Sequence, residues 1–254
     1  MQHSESQLKK SNPEVVISIR GLYKSFGSNH VIKNFNLDVH QGENIVVLGK
    51  SGSGKSVLIK CIIGLIKPDA GSILVYGKDV AKMTAKELDK MRAYVGFLFQ
   101  SNALYDSMSV RENLEFPLRR HRKNNAKQEI DALVHEALQN VGLEHTQEMK
   151  PAELSGGMRK RIALARTLIL KPGIILYDEP TTGLDPITGK EISNLIVTLA
   201  KKYQTSSIII SHDLSSVKIV ASKIVMLIDG QCYAMGKFEE LQNSDDIKIK
   251  TFFE

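Results

Sequence analysis

The segment that most constrains the fold lies at residues 49–56, where the sequence reads Gly-Lys-Ser-Gly-Ser-Gly-Lys-Ser. It follows the apolar run Ile45–Leu48, which is typical of a strand, and it precedes apolar residues at helical spacing. Glycines at these positions allow successive backbone N–H groups to turn towards one point, and the helix start adds a partial positive charge. The pattern therefore predicts a strand–loop–helix unit that holds phosphate groups.

Two side chains of this loop have distinct expected roles. We expect Lys55 to place its ammonium group against the β- and γ-phosphates of a nucleotide, and the Ser56 hydroxyl to bind magnesium. The alternative is a glycine-rich turn that only caps a helix. The other residues of this segment predicted to contact the nucleotide are Gly49, Lys50, Ser51, Gly52, Ser53, Gly54 and Val57.

Polar residues also follow two other apolar strands. Asp178 and Glu179 come after Ile174–Tyr177, and His212 comes after Ser207–Ser211. Because parallel strands present ligand groups at their carboxyl ends, we expect Asp178 to reach magnesium and Glu179 to polarise a water aimed at the γ-phosphate. His212 is expected to contact the γ-phosphate. The alternatives are a helix cap or surface charges for the carboxylates, and a structural role for the histidine.

Composition limits the class of protein without selecting a function. The 254 residues include 34 Lys and Arg against 28 Asp and Glu, and this excess fits a nucleotide, a nucleic acid or an anionic membrane surface. Two distant cysteines, Cys61 and Cys232, indicate free thiols in a reducing compartment. Residues 1–13 form a polar tail without the apolar core of a signal peptide, and no apolar run is long enough to span a bilayer. We therefore expect a cytoplasmic chain.

The order of the predicted elements indicates an α/β core with an insertion. Strand signals vanish between residues 101 and 166, where apolar residues within 130–141 form one helical stripe that ends at Gly142. We predict one domain over residues 14–254, with a core at 14–100 and 167–254 and a helical subdomain at about 101–166. The predicted strands are Val15–Ile19, Asn44–Leu48, Ser72–Tyr76, Tyr94–Phe99, Ile174–Tyr177, Ser207–Ser211, Lys223–Ile228 and, in a terminal hairpin, Gln231–Met235.

Three further motifs make the order of elements specific. Leu154-Ser155-Gly156-Gly157-Met158 precedes a basic helix, Gln100 follows the strand at 94–99, and Gly183-Leu184-Asp185 follows Glu179. From about residue 15 to residue 236, this order resembles the ATP-binding-cassette (ABC) ATPases. The resemblance implies an α/β fold: a P-loop NTPase (RecA-like) core with antiparallel β elements and an inserted α-helical subdomain.

The resemblance also implies roles for these motifs. Members of the family bind two ATP molecules between two head-to-tail nucleotide domains, so Ser155–Gly157 would contact the γ-phosphate held by Lys55 of the opposite subunit. Gln100 would lie near the magnesium ion and the attacking water, and Asp185 would couple the two sites. Phe26 stands where the family usually carries a tyrosine that stacks on adenine. The implied cofactors are ATP and Mg²⁺.

The segment after Gln100 indicates which subfamily of the ABC ATPases the chain resembles. Leu98–Ser107, Phe116–Arg119 and Met158, which replaces the usual glutamine, look like the ATPase subunits of MCE-type (mammalian-cell-entry, or Mla-type) lipid transporters. This implies a homodimer that powers lipid transport, with phospholipid as the expected cargo, at the inner face of the membrane. The implied partners are an integral membrane permease and an MCE-domain lipid-binding protein, and no nucleic acid is expected.

Alternative functions and two features stay open at this stage. The chain could serve a polar-solute or amino-acid importer, act without a permease on nucleic acid or in cofactor assembly, or bind nucleotide without turnover. The tail at 247–254 could be a free end or could dock on a partner subunit. One basic cluster could be a solvated helix surface or could contact anionic lipid headgroups. That cluster comprises Arg119, Arg120, Arg122, Lys123 and Lys127.

Overall fold

The computed structural model describes residues 14–122 and 125–253, so the predicted tail at 1–13 and Lys123 lie outside the described residues. The strands are β1 (Val15–Phe26), β2 (Asn29–His40), β3 (Asn44–Leu48), β4 (Ala70–Val75), β5 (Lys78–Asp79), β6 (Val95–Leu98), β7 (Ile174–Asp178), β8 (Ser206–Ser211), β9 (Lys223–Ile228) and β10 (Gln231–Gly236). The α-helices are α1 (Lys55–Ile62), α2 (Ala85–Tyr94), α3 (Val110–His121), α4 (Lys127–Val141), α5 (Gly156–Leu168), α6 (Pro186–Tyr203), α7 (Leu214–Val220), α8 (Phe238–Gln242) and α9 (Ile247–Lys250).

A six-stranded sheet in the order β10-β9-β3-β8-β7-β6 positions the site. Its strands run parallel from β9 to β6, and only β10 is antiparallel, in a hairpin with β9. The residues of β3, β7 and β8 are almost all buried, because helices or the second sheet cover both faces. The carboxyl ends of β3, β7 and β8 therefore meet at one edge, as the sequence predicts.

A second sheet is antiparallel and has the order β2-β1-β4-β5. It packs with α1 against one face of the large sheet in an apolar cluster that includes Ile17, Phe35 and Ile59. Strand β2 was not predicted, because polar residues fill its exposed positions and Asn34, at φ 49°, breaks the alternation. Strand β1 extends to Phe26, well beyond the predicted end at Ile19.

Helices occupy the chain between β6 and β7, where the described residues contain no strand. Helices α3, α4 and α5 pack together in a second apolar cluster with the other face of the large sheet. Helix α4 ends at Gly142, whose φ of 67° gives the left-handed cap that the sequence predicts. The fold is the mixed α/β P-loop fold expected from the sequence. No helix in the described part of the chain is both long and apolar enough to cross a membrane.

The basic cluster predicted on the inserted helices is largely paired with neighbouring residues. Arg119 forms an ion pair with Glu115, Arg120 pairs with Asp89, and Arg122 donates to a backbone carbonyl. Both cysteines are free, with Cys61 buried and Cys232 half-buried. Burial raises the pKa of the Cys61 thiol to about 11, which makes this thiol unreactive at neutral pH.

The C-terminal tail at residues 247–253 packs on its own domain, so the free end among the sequence-based alternatives is wrong, while docking on a partner subunit stays a prediction. Helix α9 lies on its own domain, with Ile249 buried and both phenylalanines packed against the apolar cluster of the helices. The rings of Phe253 and Phe238 are 5.4 Å apart in an edge-to-face arrangement. Burial of the two phenylalanine rings is favourable because it removes them from water. The sequence pattern alone does not specify which surface buries them.

Replacing Phe253 with alanine is expected to lower the free energy of unfolding by about 1–2 kcal/mol, because the ring is half-buried against Phe238. Denaturant titration at two protein concentrations measures the loss, and docking within one chain predicts that the midpoint does not depend on concentration. The matched control is Ile247→Ala, since Ile247 is 78% exposed on the same tail. Equal effects of the two substitutions would contradict the docking.

Candidate nucleotide-binding site

The glycine-rich loop joins β3 to α1 and wraps around the side chain of Lys55. Lys55 Nζ donates hydrogen bonds to the backbone oxygens of Gly49, at 2.7 Å, and Lys50, at 2.9 Å. The side chain is buried, and this burial lowers the pKa of Lys55, while Glu179 and Asp178 oppose the shift. The ammonium is therefore held inside the loop beside two carboxylates.

The backbone of the loop leaves room that side chains would fill. Gly52 and Gly54 have φ values of 79° and 100°, which disfavour any residue with a Cβ. A Cβ on Gly49 would come within 2.7 Å of the backbone oxygen of Leu227. Among the described residues, the buried Ser53 hydroxyl has no hydrogen-bond partner. A cradle of this shape, with an unpaired hydroxyl and a fixed cation, fits the phosphates of a nucleotide.

Ser56 and Asp178 meet where β7 ends opposite the start of α1. The Ser56 hydroxyl donates to Asp178 Oδ1 at 3.0 Å. Burial raises the pKa of Asp178, and the hydrogen bond from Ser56 partly offsets this rise. Within residues 14–122 and 125–253, no three His, Cys, Asp or Glu side chains are arranged so that they alone could hold a metal ion. A hydroxyl, a carboxylate and the nearby Gln100 amide suit magnesium, which uses few protein ligands when it binds phosphates.

Glu179 is the point at which the other predicted catalytic side chains converge. Its Oε2 accepts hydrogen bonds from Gln100 Nε2 at 3.1 Å and from Thr182 Oγ1 at 2.9 Å. Its Oε1 lies 3.3 Å from His212 Nδ1. The Glu179 backbone has φ 50°, an uncommon conformation that turns the residue away from the direction of β7. The structure thus brings the glutamine, the glutamate and the histidine together.

The Ser155–Gly157 segment lies in a different place on the chain. Ser155 caps α5, and its Oγ accepts a hydrogen bond from Met158 N at 3.2 Å. The segment lines a surface pocket of about 450 Å³ together with Asp185, which caps α6. Hydrogen bonds from Thr188 lower the pKa of Asp185, and the side chain of Thr188 contributes more to this shift than its backbone N–H. Within the described residues, no hydrogen bond or ion pair joins Ser155–Gly157 to the loop at 49–56.

Two predicted nucleotide contacts are less direct. Phe26 ends β1 and is 51% exposed, with Lys24 Nζ 5.2 Å from its ring centroid, but it does not line the pocket beside the glycine-rich loop. That pocket of about 590 Å³ is lined by Lys50 and Phe252, among other residues. The side chain of Val57 packs against the apolar cluster, so only its backbone N–H is available to a ligand.

Sequence reasoning missed one residue that contacts Glu179, namely Thr182. It follows Glu179 by three positions, and its hydroxyl donates to the same carboxylate oxygen as Gln100. The turn at Glu179-Pro180-Thr181 was a signal that a later hydroxyl could fold back on the carboxylate. It was missed because the same sequence also suits an ordinary helix connection.

Comparisons with known proteins point to one family. Residues 32–182 match the family model described as ABC transporter. A "Probable ribonucleotide transport ATP-binding protein mkl" of Mycobacterium leprae is 42% identical over 238 residues, which cover 94% of this chain and 68% of the relative. The "Intermembrane phospholipid transport system ATP-binding protein MlaF" of Haemophilus influenzae is 37% identical over 237 residues, which cover 93% of this chain and 89% of the relative.

A solved structure shares the same architecture. The dimeric post-hydrolysis state of the ATP-binding cassette MJ0796, bound to ADP and Pi, superposes with a TM-score of 0.79 at 32% identity. The match covers 87% of this chain and 98% of the other. The fold of this chain is therefore that of an ATP-binding cassette. The chain belongs to the ABC transporter family, as one of its ATP-binding and ATP-hydrolysing subunits.

Proposed function

We propose that this chain powers the movement of phospholipid through a separate integral membrane permease. It would act as a homodimer on the cytoplasmic side of the membrane, together with an MCE-domain lipid-binding protein. The observation that carries the proposal is the resemblance of the segment after Gln100 to lipid-transporting ATPases, joined to 37% identity with a phospholipid-transport ATPase over 89% of that relative. This segment contacts the inserted helices through Asn113 on α3 and Arg166 on α5, and we place the permease contact on this face.

In the proposed hydrolysis, Glu179 accepts a proton from the water that attacks the γ-phosphate. Gln100 and Thr182 donate to Glu179 Oε2, and these contacts orient the carboxylate. Lys55 and His212 balance the negative charge that develops on the phosphate oxygens. In the structure, Lys55 is held by two loop carbonyls and His212 lies 3.3 Å from Glu179.

Ser56, Asp178 and Gln100 are the residues proposed to hold magnesium. The ion would neutralise phosphate charge during the transfer to water. A positive ion beside the buried Asp178 carboxylate would oppose the rise in its pKa that burial causes. The hydroxyl of Ser56, 3.0 Å from Asp178 Oδ1, lies on the same side of the loop.

The proposed homodimer completes a site that one chain leaves divided. Ser155–Gly157 begins a helix, and its backbone N–H groups suit an anion, yet it lines a pocket apart from Lys55. A head-to-tail partner would bring its own Ser155–Gly157 segment to the γ-phosphate on Lys55. Asp185, beside that segment, would then lie at the junction of the two subunits. The dimeric state of the MJ0796 cassette supports this arrangement.

A second candidate is the import of a polar solute, and the printed name of the mycobacterial relative, which refers to ribonucleotide transport, favours it. A permease-free ATPase is a further alternative from another class. The three alternatives differ in what accompanies the chain: a permease with bound phospholipid, a permease that responds to a polar solute, or only soluble proteins.

Co-purification from the native cell distinguishes these alternatives. The tagged chain, extracted from membranes in mild detergent, is expected to bring down a permease and an MCE-domain protein with bound phospholipid. The ATPase rate of this complex is expected to respond to phospholipid and not to ribonucleotides or amino acids. Recovery of soluble partners alone, or stimulation by a polar solute without lipid dependence, would reject the lipid assignment.

An exposed aromatic pair supplies a matched variant for this experiment. Phe116 on α3 is 37% exposed, and its ring lies 4.9 Å from that of Tyr105. Phe116→Ser is expected to lose the permease while the isolated chain still hydrolyses ATP. Tyr94→Ser is the control and is expected to retain the permease. Tyr94 is exposed at the end of α2, just before the start of β6, and so lies at the end of that strand away from Gln100. Arg111, on the same helix, is half-buried between Glu115 and Asp131 and suits no such test.

A further inference from the structure

Helix α5 directs two cations into the protein, towards the loop that follows β6, here called the glutamine loop (residues 100–105). Lys160 is 2% exposed, and its Nζ donates to the backbone oxygen of Gln100 at 3.0 Å. In the described part of the chain, this carbonyl is the one hydrogen-bond acceptor for that ammonium. Burial lowers the pKa of Lys160, and the nearby Asp178 opposes the shift. Burying an ammonium costs free energy, and a single hydrogen bond to a backbone oxygen offsets this cost only in part.

Arg166, two turns further along α5, holds the next part of the same loop. Its guanidinium donates to the backbone oxygens of Asn102, at 3.0 Å, and Ala103, at 2.9 Å, and lies 5.8 Å from the ring centroid of Tyr105. Asn102 and Ala103 have φ values of 65° and 50°, which residues other than glycine rarely adopt. The arginine therefore fixes a strained stretch of backbone whose carbonyls turn towards the helix.

These contacts end at the catalytic cluster. The side chain of Gln100 donates to Glu179 Oε2, while its backbone oxygen accepts from Lys160 on the other side. Ser155 caps the start of the same helix, α5. It belongs to the Ser155–Gly157 segment, which is proposed to meet the nucleotide of the partner subunit. One rigid helix thus connects that segment, through Lys160, to the glutamine of its own site.

We propose that Lys160 and Arg166 are positioning residues, which hold the glutamine loop so that the Gln100 amide stays against Glu179. The proposal rests on the role proposed above for Gln100 in hydrolysis. A shift of α5, as when a second subunit engages Ser155–Gly157, would carry the backbone of Gln100 with it. Occupation of one nucleotide site would in this way alter the alignment of the other.

Steady-state ATP hydrolysis by the purified full chain tests the proposal. Lys160→Met keeps the volume of the side chain but removes the donor, and it is expected to lower kcat about ten- to a hundredfold with KM for ATP unchanged. Lys160→Gln retains a donor one atom nearer the backbone and is expected to recover most of the rate. Lys171→Met, which removes an exposed partner of Glu136, is the control and is expected to leave kcat unchanged.

A double-mutant cycle separates positioning from a structural role. In a Gln100→Ala chain, Lys160→Met is expected to cause no further loss of kcat, because its effect passes through Gln100. Additive losses, an unaltered kcat in Lys160→Met, or a wild-type rate in Gln100→Ala would each overturn the proposal. If Lys160→Met does not fold, the same cycle uses Arg166→Lys, which keeps the charge but replaces the two-pronged donor with one ammonium.

The outcome is independent of the lipid assignment, because the assay contains the chain, ATP and magnesium and no lipid. A failed cycle therefore leaves the proposed phospholipid cargo untouched. Conversely, a permease that responds only to polar solutes would leave the roles of Lys160 and Arg166 intact.

Discussion

Replacing Lys55 with alanine is expected to abolish hydrolysis, with a loss of at least about a hundredfold, and to weaken ATP binding strongly. The ammonium is buried in the loop, where it donates to the backbone oxygens of Gly49 and Lys50. Without it, the γ-phosphate would lose the ammonium that offsets the nearby charges of Asp178 and Glu179. The repulsion between these like charges opposes both binding and reaction.

The structure adds a consequence for stability that the motif alone does not predict. Because Lys55 bonds to two loop oxygens, at Gly49 and Lys50, alanine leaves these oxygens without their donor. The cost is expected to be about 1–3 kcal/mol, offset in part because a buried charge is also removed. The domain should therefore remain folded, with a melting temperature lowered by a few degrees.

Hydrolysis, nucleotide binding and melting temperature, measured on the same preparation, check this expectation. Lys67→Ala removes an equal charge from an exposed position and serves as the control for net charge. Turnover of the folded Lys55→Ala chain at the rate of the unaltered chain would remove Lys55 from the site. A loss shared equally by Lys67→Ala would show that the effect comes from overall charge.

Much of the large sheet could be predicted because its strands are buried on both faces. The continuous apolar runs of β3 and β9 coincide with their predicted bounds, Asn44–Leu48 and Lys223–Ile228. The glycine-rich loop could be placed between a strand and a helix because its conformation depends on local backbone freedom. Both features are determined by residues that are adjacent in the sequence, so the sequence pattern is enough to predict them.

The features that could not be predicted depend on distant partners. Strand β2 exposes polar residues on one side, so its pattern is weak until β1 pairs with it. The tail pattern does not say which surface buries Phe252 and Phe253, and both belong to the chain's own apolar cluster. Lys160 donates to a carbonyl sixty residues away, and no spacing rule in the sequence specifies such a contact.

The second large expected effect concerns Glu179, where glutamine should keep the shape of the site and remove the proton acceptor. Hydrolysis is expected to fall about a hundred- to ten-thousandfold, with ATP still bound. The amide oxygen can accept the hydrogen bonds that Gln100 and Thr182 now donate to Glu179 Oε2, so the cluster should stay assembled. The variant is therefore expected to remain in the closed, ATP-bound dimer, because the dimer would dissociate only after ATP is hydrolysed.

Size-exclusion chromatography with saturating ATP and magnesium should show more dimer for Glu179→Gln than for the unaltered chain. Glu239→Gln, which removes one charge from an exposed position on α8, is the control and should match the unaltered chain. Adding Ser155→Arg should return the variant to monomer, because a bulky cation would then fill the segment proposed to meet the partner's nucleotide. A folded, ATP-bound Glu179→Gln chain that stays monomeric, alone and with its permease, would contradict the head-to-tail site. The same chain with undiminished hydrolysis would instead show that another group accepts the proton.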